Sequence, residues 1–98
     1  MSIKVMGIDP GLRFTGWGII SLDGNHIKHN ANGVIKTRSE DSLSNRLLEL
    51  YSNITEVIAE FKPNEASIEN TFVNKNALSS LKLGHARGAI MVAVANQN

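Results

Sequence analysis

The chain reads as an α/β protein built on a mixed sheet, in the order β-β-β-α-β-α. Three observations lead there. Residues 1–37 alternate apolar and polar positions around a turn signal, the mark of paired strands. Leu43–Phe61 carries apolar residues at helical spacing. A short strand-like segment, Glu65–Asn70, follows that helix and precedes a second helical stretch. A strand that arrives after a helix is predicted to lie parallel to an earlier one.

Ile3–Ile8 is the first strand, a short apolar run closed by Asp9-Pro10-Gly11. Proline lacks the N–H a central ladder needs, and glycine favours a turn. Thr15–Leu22 is the second strand, with Trp17 and Ile19 on one face and Gly16, Gly18 and Ile20 on the other. Asp23-Gly24-Asn25 signals a hairpin. His26–Thr37 returns as a third, more polar strand in which Ile27, Ala31 and Ile35 are the apolar positions. The first helix, Leu43–Phe61, sets Leu43, Leu47, Leu50, Tyr51, Ile54, Val57 and Ile58 against Glu49, Asn53, Glu56 and Glu60. Asp41 or Ser42 is its expected cap, and Pro63 follows its end. Ala77–Ala95 is the second helix, apolar on more than one side. Its Gly84 and Gly88 each cost about 1 kcal/mol relative to alanine, which points to close backbone approach by another element. An α/β chain would continue with a further strand, so an edge strand is expected beyond Asn98.

The 98 residues are 42% hydrophobic and 19% charged, the composition of one folded domain rather than a disordered segment. No apolar run nears the roughly 18 residues of a membrane span, so a cytoplasmic protein is the expectation. Without cysteine there is no disulfide, thiolate zinc site or cysteine nucleophile. The net charge of +1 hides segregation: residues 1–38 sum to +3, residues 39–69 to −5 and residues 70–98 to +3. Such blocks fit a polyanion partner, and equally an exposed acidic helix.

Asp9 and Glu69 are the candidate chemical groups. If the first and fourth strands are parallel neighbours, both carboxylates emerge at adjoining strand ends. Two like charges so placed repel unless a cation lies between them. An oxygen-only ligand set suits Mg²⁺, with Mn²⁺ as a substitute. Paired carboxylates also serve acid–base work on sugars, and Arg13 could simply pair with Asp9. Gly7, Gly11, Gly16 and Gly18 fit neither a Walker loop nor GxGxxG. They suit strand bending, or close approach of a phosphate backbone. Phe72 could stack on bases, and Lys75 and Lys82 could neutralise phosphates. Each has an ordinary alternative as core or solvated surface.

Three segments in order carry a resemblance. Gly7-Ile8-Asp9-Pro10-Gly11-Leu12-Arg13-Phe14-Thr15-Gly16-Trp17-Gly18 resembles the opening motif of the RuvC family of Holliday junction resolvases. Ile68-Glu69-Asn70-Thr71-Phe72-Val73-Asn74-Lys75-Asn76 and Leu81-Lys82-Leu83-Gly84-His85-Ala86-Arg87-Gly88-Ala89 resemble its next two. The resemblance implies a ribonuclease H-like fold and an endonuclease that nicks four-way DNA junctions symmetrically in recombination and repair. It implies two Mg²⁺ ions per complete site, held by four acids of which Asp9 and Glu69 match the first two. Arg13, Phe72, Asn74, Lys75, Asn76 and Lys82 are the expected DNA contacts. Leu81, Gly84, His85 and Gly88 fall on the expected homodimer helix, with His85 where the family carries glutamine. RuvA and RuvB are the implied branch-migration partners. A strand and a helix with the other two acids are expected to be missing, which would make residues 1–98 a single truncated nuclease domain, inactive or nearly so alone. The alternatives are a junction-binding or dimerisation fragment, a nucleotide-binding domain of the actin and sugar-kinase type, and a related nuclease acting on other nucleic acids.

Overall fold

The computed structural model describes residues 2–70 and 76–97. Strands β1 (Ser2–Asp9), β2 (Phe14–Asp23) and β3 (His26–Lys36) precede helix α1 (Leu43–Phe61), strand β4 (Glu65–Ile68) and helix α2 (Ala77–Ala95). The sheet order is β3-β2-β1-β4. β1 runs antiparallel to β2 and parallel to β4, so the expected meander and crossover are both present. β4 is shorter than expected and stops before Glu69.

Both helices cover one face of the sheet. Met6 and Ile8 of β1, Ile19 of β2 and Ile35 of β3 join Leu50, Ile54 and Ile58 of α1 and Ala86, Ile90 and Ala93 of α2 in one buried core. Alternation sends the intervening residues to the opposite face, where no helix among the described residues lies. Ile3, Phe14 and Val34 are exposed there.

The third strand departs from simple alternation. Ile19 pairs with Ala31 but Ile20 pairs with His29, so Asn30 is an extra residue in β3. This bulge exchanges the faces of everything before it. Ala31 and Ile35 therefore join the covered side, whereas Ile27 turns out and is exposed. The Ser21 hydroxyl donates to Asn30 Oδ1 at 2.9 Å across the irregularity.

Ser42 caps α1, its Oγ accepting the Asn45 N–H at 3.3 Å. Lys62 closes the helix in a left-handed conformation, with its N–H on the Ile58 carbonyl at 2.8 Å, and Pro63 prevents continuation. The buried stripe of α1 includes Arg46 beside Leu50, Ile54 and Ile58. No helix among the described residues is long and apolar enough to cross a membrane.

Trp17 lies on the covered face, its ring centroid 5.7 Å from that of Phe61. Gly33 sits opposite it in β3. A Cβ at Gly33 would come within 2.7 Å of the indole ring, so glycine is needed for the ring to lie across that strand. Gly33→Ala is expected to displace the ring and cost about 1–3 kcal/mol through overpacking. Thermal unfolding should show a Tm lower by several degrees, since each kcal/mol moves a domain of this size by about 4–8 °C. Trp17 is the single tryptophan, so fluorescence reads the displacement directly.

Candidate active site

The parallel pairing of β1 with β4 creates the site. Ile8 is in register with Ile68, and the Glu69 N–H continues the ladder onto the Ile8 carbonyl at 2.9 Å. Asp9 and Glu69 thereby end side by side on the open face. Asp9 pairs with Gly16 on its other side. A groove of about 350 Å³ runs between them, floored by Gly7, Gly16 and Gly18 and edged by Ser67. A Cβ built at Gly7 meets nothing within 4 Å, and one at Gly16 meets only Asp9 Cβ at 3.9 Å. These glycines are not required by packing within the described chain; their lack of side chains keeps the groove open.

Asp9 is exposed rather than buried, and it forms no ion pair with Arg13. Arg13 instead lies with Cζ 5.2 Å from the centre of the Phe14 ring. The neighbour that matters to Glu69 is Asp9. A hydrogen bond with Asp9, reinforced by like-charge repulsion, holds the Glu69 carboxyl above its ordinary range. Two carboxyl groups set so close also offer a hard, oxygen-only donor pair for a divalent cation. Among the described residues no group of three or more His, Cys, Asp or Glu side chains converges, so Asp9 and Glu69 are a pair and not part of a larger cluster there.

The chain between Asp9 and β2 is held from several sides. Thr15 Oγ1 donates to the Gly11 carbonyl at 2.6 Å and accepts the Gly11 N–H at 3.2 Å. A Cβ at Gly11 would collide with the Phe14 carbonyl, so this turn demands glycine. Thr37 Oγ1 donates to the Leu12 carbonyl at 2.5 Å and accepts from buried Arg46 Nε at 3.0 Å. The Thr37 N–H bonds the Arg13 carbonyl at 3.1 Å. On the other side, Arg87 of α2 donates through Nε to the Glu69 carbonyl at 3.1 Å and through Nη2 to Asn70 Oδ1 at 3.2 Å. Sequence reasoning passed over Thr15, Thr37, Arg46 and Arg87. Only one arginine at an apolar helical position hinted at any of them.

The other expected contact residues are spread along the fold. Phe72, Asn74 and Lys75 lie outside the described residues. Asn76 caps α2, its Oδ1 accepting the Ser79 N–H at 3.1 Å. Lys82 is exposed beside the recess between α2 and Leu12. Leu81, Gly84 and His85 are exposed on α2 and Gly88 is half-buried. No other element among the described residues comes within 4 Å of a Cβ built at Gly84 or Gly88, so the described residues do not make the close contact expected at these glycines.

The sheet order, with two acids at adjoining ends of β1 and β4, defines a ribonuclease H-like protein. The family model for crossover junction endodeoxyribonuclease RuvC matches residues 5–98, and the chain belongs to that family. The RuvC of Gluconobacter oxydans is 54% identical over 93 residues, covering 95% of this chain and 55% of that protein. The RuvC of Rhodospirillum rubrum is 50% identical with the same coverage. The chain thus spans about half the length of the curated relatives it matches. A Thermus thermophilus RuvC solved in complex with a Holliday junction substrate superposes with a TM-score of 0.88 at 26% identity, over 96% of this chain and 60% of that one. An Aquifex aeolicus PPX-GPPA enzyme, at 13% identity and a TM-score of 0.62, shares the fold alone.

The Glu69 environment gives a signed pH effect. In the metal-free chain the folded state holds that proton more tightly than the unfolded state does. The resulting stabilisation is complete below the unfolded carboxyl value and is lost as pH rises through the elevated folded one. Glu69→Gln should therefore gain stability relative to wild type as pH rises above the ordinary carboxyl range. Paired melts in chelator measure that difference, and divalent cation should shrink it.

Proposed function

We propose that this chain forms the first part of a structure-specific endonuclease that hydrolyses phosphodiester bonds in four-way DNA junctions. The observation that carries this reading is the Asp9–Glu69 pair at adjoining parallel strand ends, above a groove whose glycine floor leaves room for a sugar-phosphate backbone. Family membership and the likeness to the junction-bound Thermus protein support it.

Asp9 and Glu69 would hold divalent cation, Mg²⁺ in the first instance, with both carboxyl groups ionised. When bound, the cation supplies charge neutralisation to the phosphodiester and a more acidic water. The carboxylates stay acceptors throughout and donate no proton to the reaction. The groove admits the phosphate because Gly7, Gly16 and Gly18 present no side chain. Arg13, beside Phe14, and Lys82, at the recess between α2 and Leu12, would offset backbone charge away from the groove itself. Arg87 keeps Glu69 in place by fixing its main chain to α2. A two-cation site needs more acids than this pair, and these would come from elsewhere in the full-length protein.

A homodimer forms through α2 on this reading. Leu78, Leu81, His85, Gly88 and Val92 recur at alternating three- and four-residue intervals, which places them on one stripe of the helix. Leu78, Leu81 and Val92 are 60%, 58% and 60% exposed, an apolar seam opposite the buried Ala86, Ile90 and Ala93. The two glycines would let a second helix come close.

The deciding experiment measures binding of the 98-residue chain to a synthetic four-way junction and to linear duplex of the same sequence. Junction affinity is expected to exceed duplex affinity at least tenfold, about 1.4 kcal/mol. Equal affinities would sink the junction reading. In Mg²⁺ the chain should nick the junction at trace level or not at all, because the acid set is incomplete. Robust nicking abolished by Asp9→Asn would keep the nuclease assignment and overturn the predicted inactivity. Sedimentation should show a dimer that Leu81→Asp converts to monomer; an unchanged wild-type monomer would remove α2 from the interface.

A further inference from the structure

The open face carries a feature that the carboxylate pair does not account for. Phe14 opens β2 with its side chain on the same face as Asp9 and Glu69, and it is 50% exposed. Lys36 is its direct partner across β3. Lys36 Nζ lies 6.0 Å from the ring centre and Arg13 Cζ lies 5.2 Å from it. Among the described residues neither cation forms an ion pair with a carboxylate; the ring is the partner they share. An apolar protein segment laid over this ring would have to strip water from two cations without supplying an anion. A nucleic acid strand supplies both complements, a flat base for the ring and phosphates for the cations.

We propose that Phe14, flanked by Arg13 and Lys36, is a stacking platform for a nucleotide of the DNA strand that enters the Asp9–Glu69 groove. The proposal rests on the nuclease reading above and deepens it. Position supports it: Phe14 stands two residues before Gly16, which faces Asp9, a separation of about 7 Å along an antiparallel strand. A base seated on Phe14 therefore brings the adjoining phosphates to the carboxylates. Rigidity supports it as well. Thr37, next to Lys36, binds the Leu12 and Arg13 carbonyls and is itself held by buried Arg46. The two cations thus sit on backbone that is tied together before any strand arrives.

The test is anisotropy of a labelled four-way junction against wild type, Phe14→Trp, Phe14→Leu, Phe14→Ala and Lys36→Gln. Melting curves accompany each variant. Stacking of one base predicts a loss of about 5- to 150-fold for Phe14→Ala, and a clear loss for Phe14→Leu, which keeps apolar bulk without a ring. Phe14→Trp should bind as well as wild type or better. Lys36→Gln should lower the slope of log affinity against log salt by about 0.9, one phosphate contact. Full binding by both Phe14→Leu and Phe14→Ala would overturn the platform while leaving the junction reading intact. Rescue by Leu of an unstable, weakly binding Ala variant would also overturn it, by assigning Phe14 to packing. Failure of wild type to prefer the junction would defeat both readings together.

Discussion

Two carboxylates that repel one another are brought together because β4 can pair with β1 in only one useful register. Val5 to Ile8 lie beside Glu65 to Ile68, and the last bond of the ladder fixes Glu69 next to Asp9. A slip by one residue would turn Glu69 toward the helices and Ile68 toward solvent. Four residues are a short strand to enforce such a choice, and the register is anchored outside it. Asn64 exchanges hydrogen bonds with the Lys4 main chain before β4 begins, and Arg87 grips the Glu69 and Asn70 segment after it ends. The cost of placing the acids together shows in the raised proton affinity of Glu69. The same repulsion makes the place attractive to a cation.

Around this pair the backbone is pre-set rather than loose. The turn after Asp9 uses Gly11 where a side chain would strike the Phe14 carbonyl, and Thr15 closes it with two hydrogen bonds. Thr37 then joins the end of β3 to the same turn, with Arg46 as its donor from the buried face of α1. Burying a guanidinium is unfavourable unless its hydrogen bonds are met. Among the described residues no buried side-chain polar atom lacks a partner, so Arg46 meets that condition. A helix that otherwise supplies only core thus reaches the loop beside Asp9.

Helix α2 serves three purposes because its faces differ. Ala86, Ile90 and Ala93 pack in the core, Arg87 reaches Glu69, and an apolar seam with Leu78, Leu81 and Val92 faces outward. Its hydrophobic residues look scattered along the sequence because two apolar stripes overlap on one helix. A partner on the outer stripe would bear on the same helix that positions Glu69, so the proposed dimer and the proposed site share one rigid element.

The element order, both helices and the hairpin were legible from periodicity and turn residues, since those depend on local spacing alone. Asp9 and Glu69 were legible as candidates because each ends a strand, and three collinear motifs pointed to the RuvC family before the fold was known. The flip of Ile27 was not legible, because one inserted residue reverses alternation and only pairing with β2 reveals it. The partners of Arg13, Arg46 and Arg87 were not legible either. Long side chains choose among neighbours far away in sequence, and only packing decides which are in reach. Local spacing and turn residues suffice for one α/β sheet and for the acids at its strand ends. Only the packing of the elements sets these acids beside one another, turns Arg13 to Phe14 rather than Asp9, and leaves one face of the sheet without a helix among the described residues, because each depends on distances between elements that no local pattern encodes.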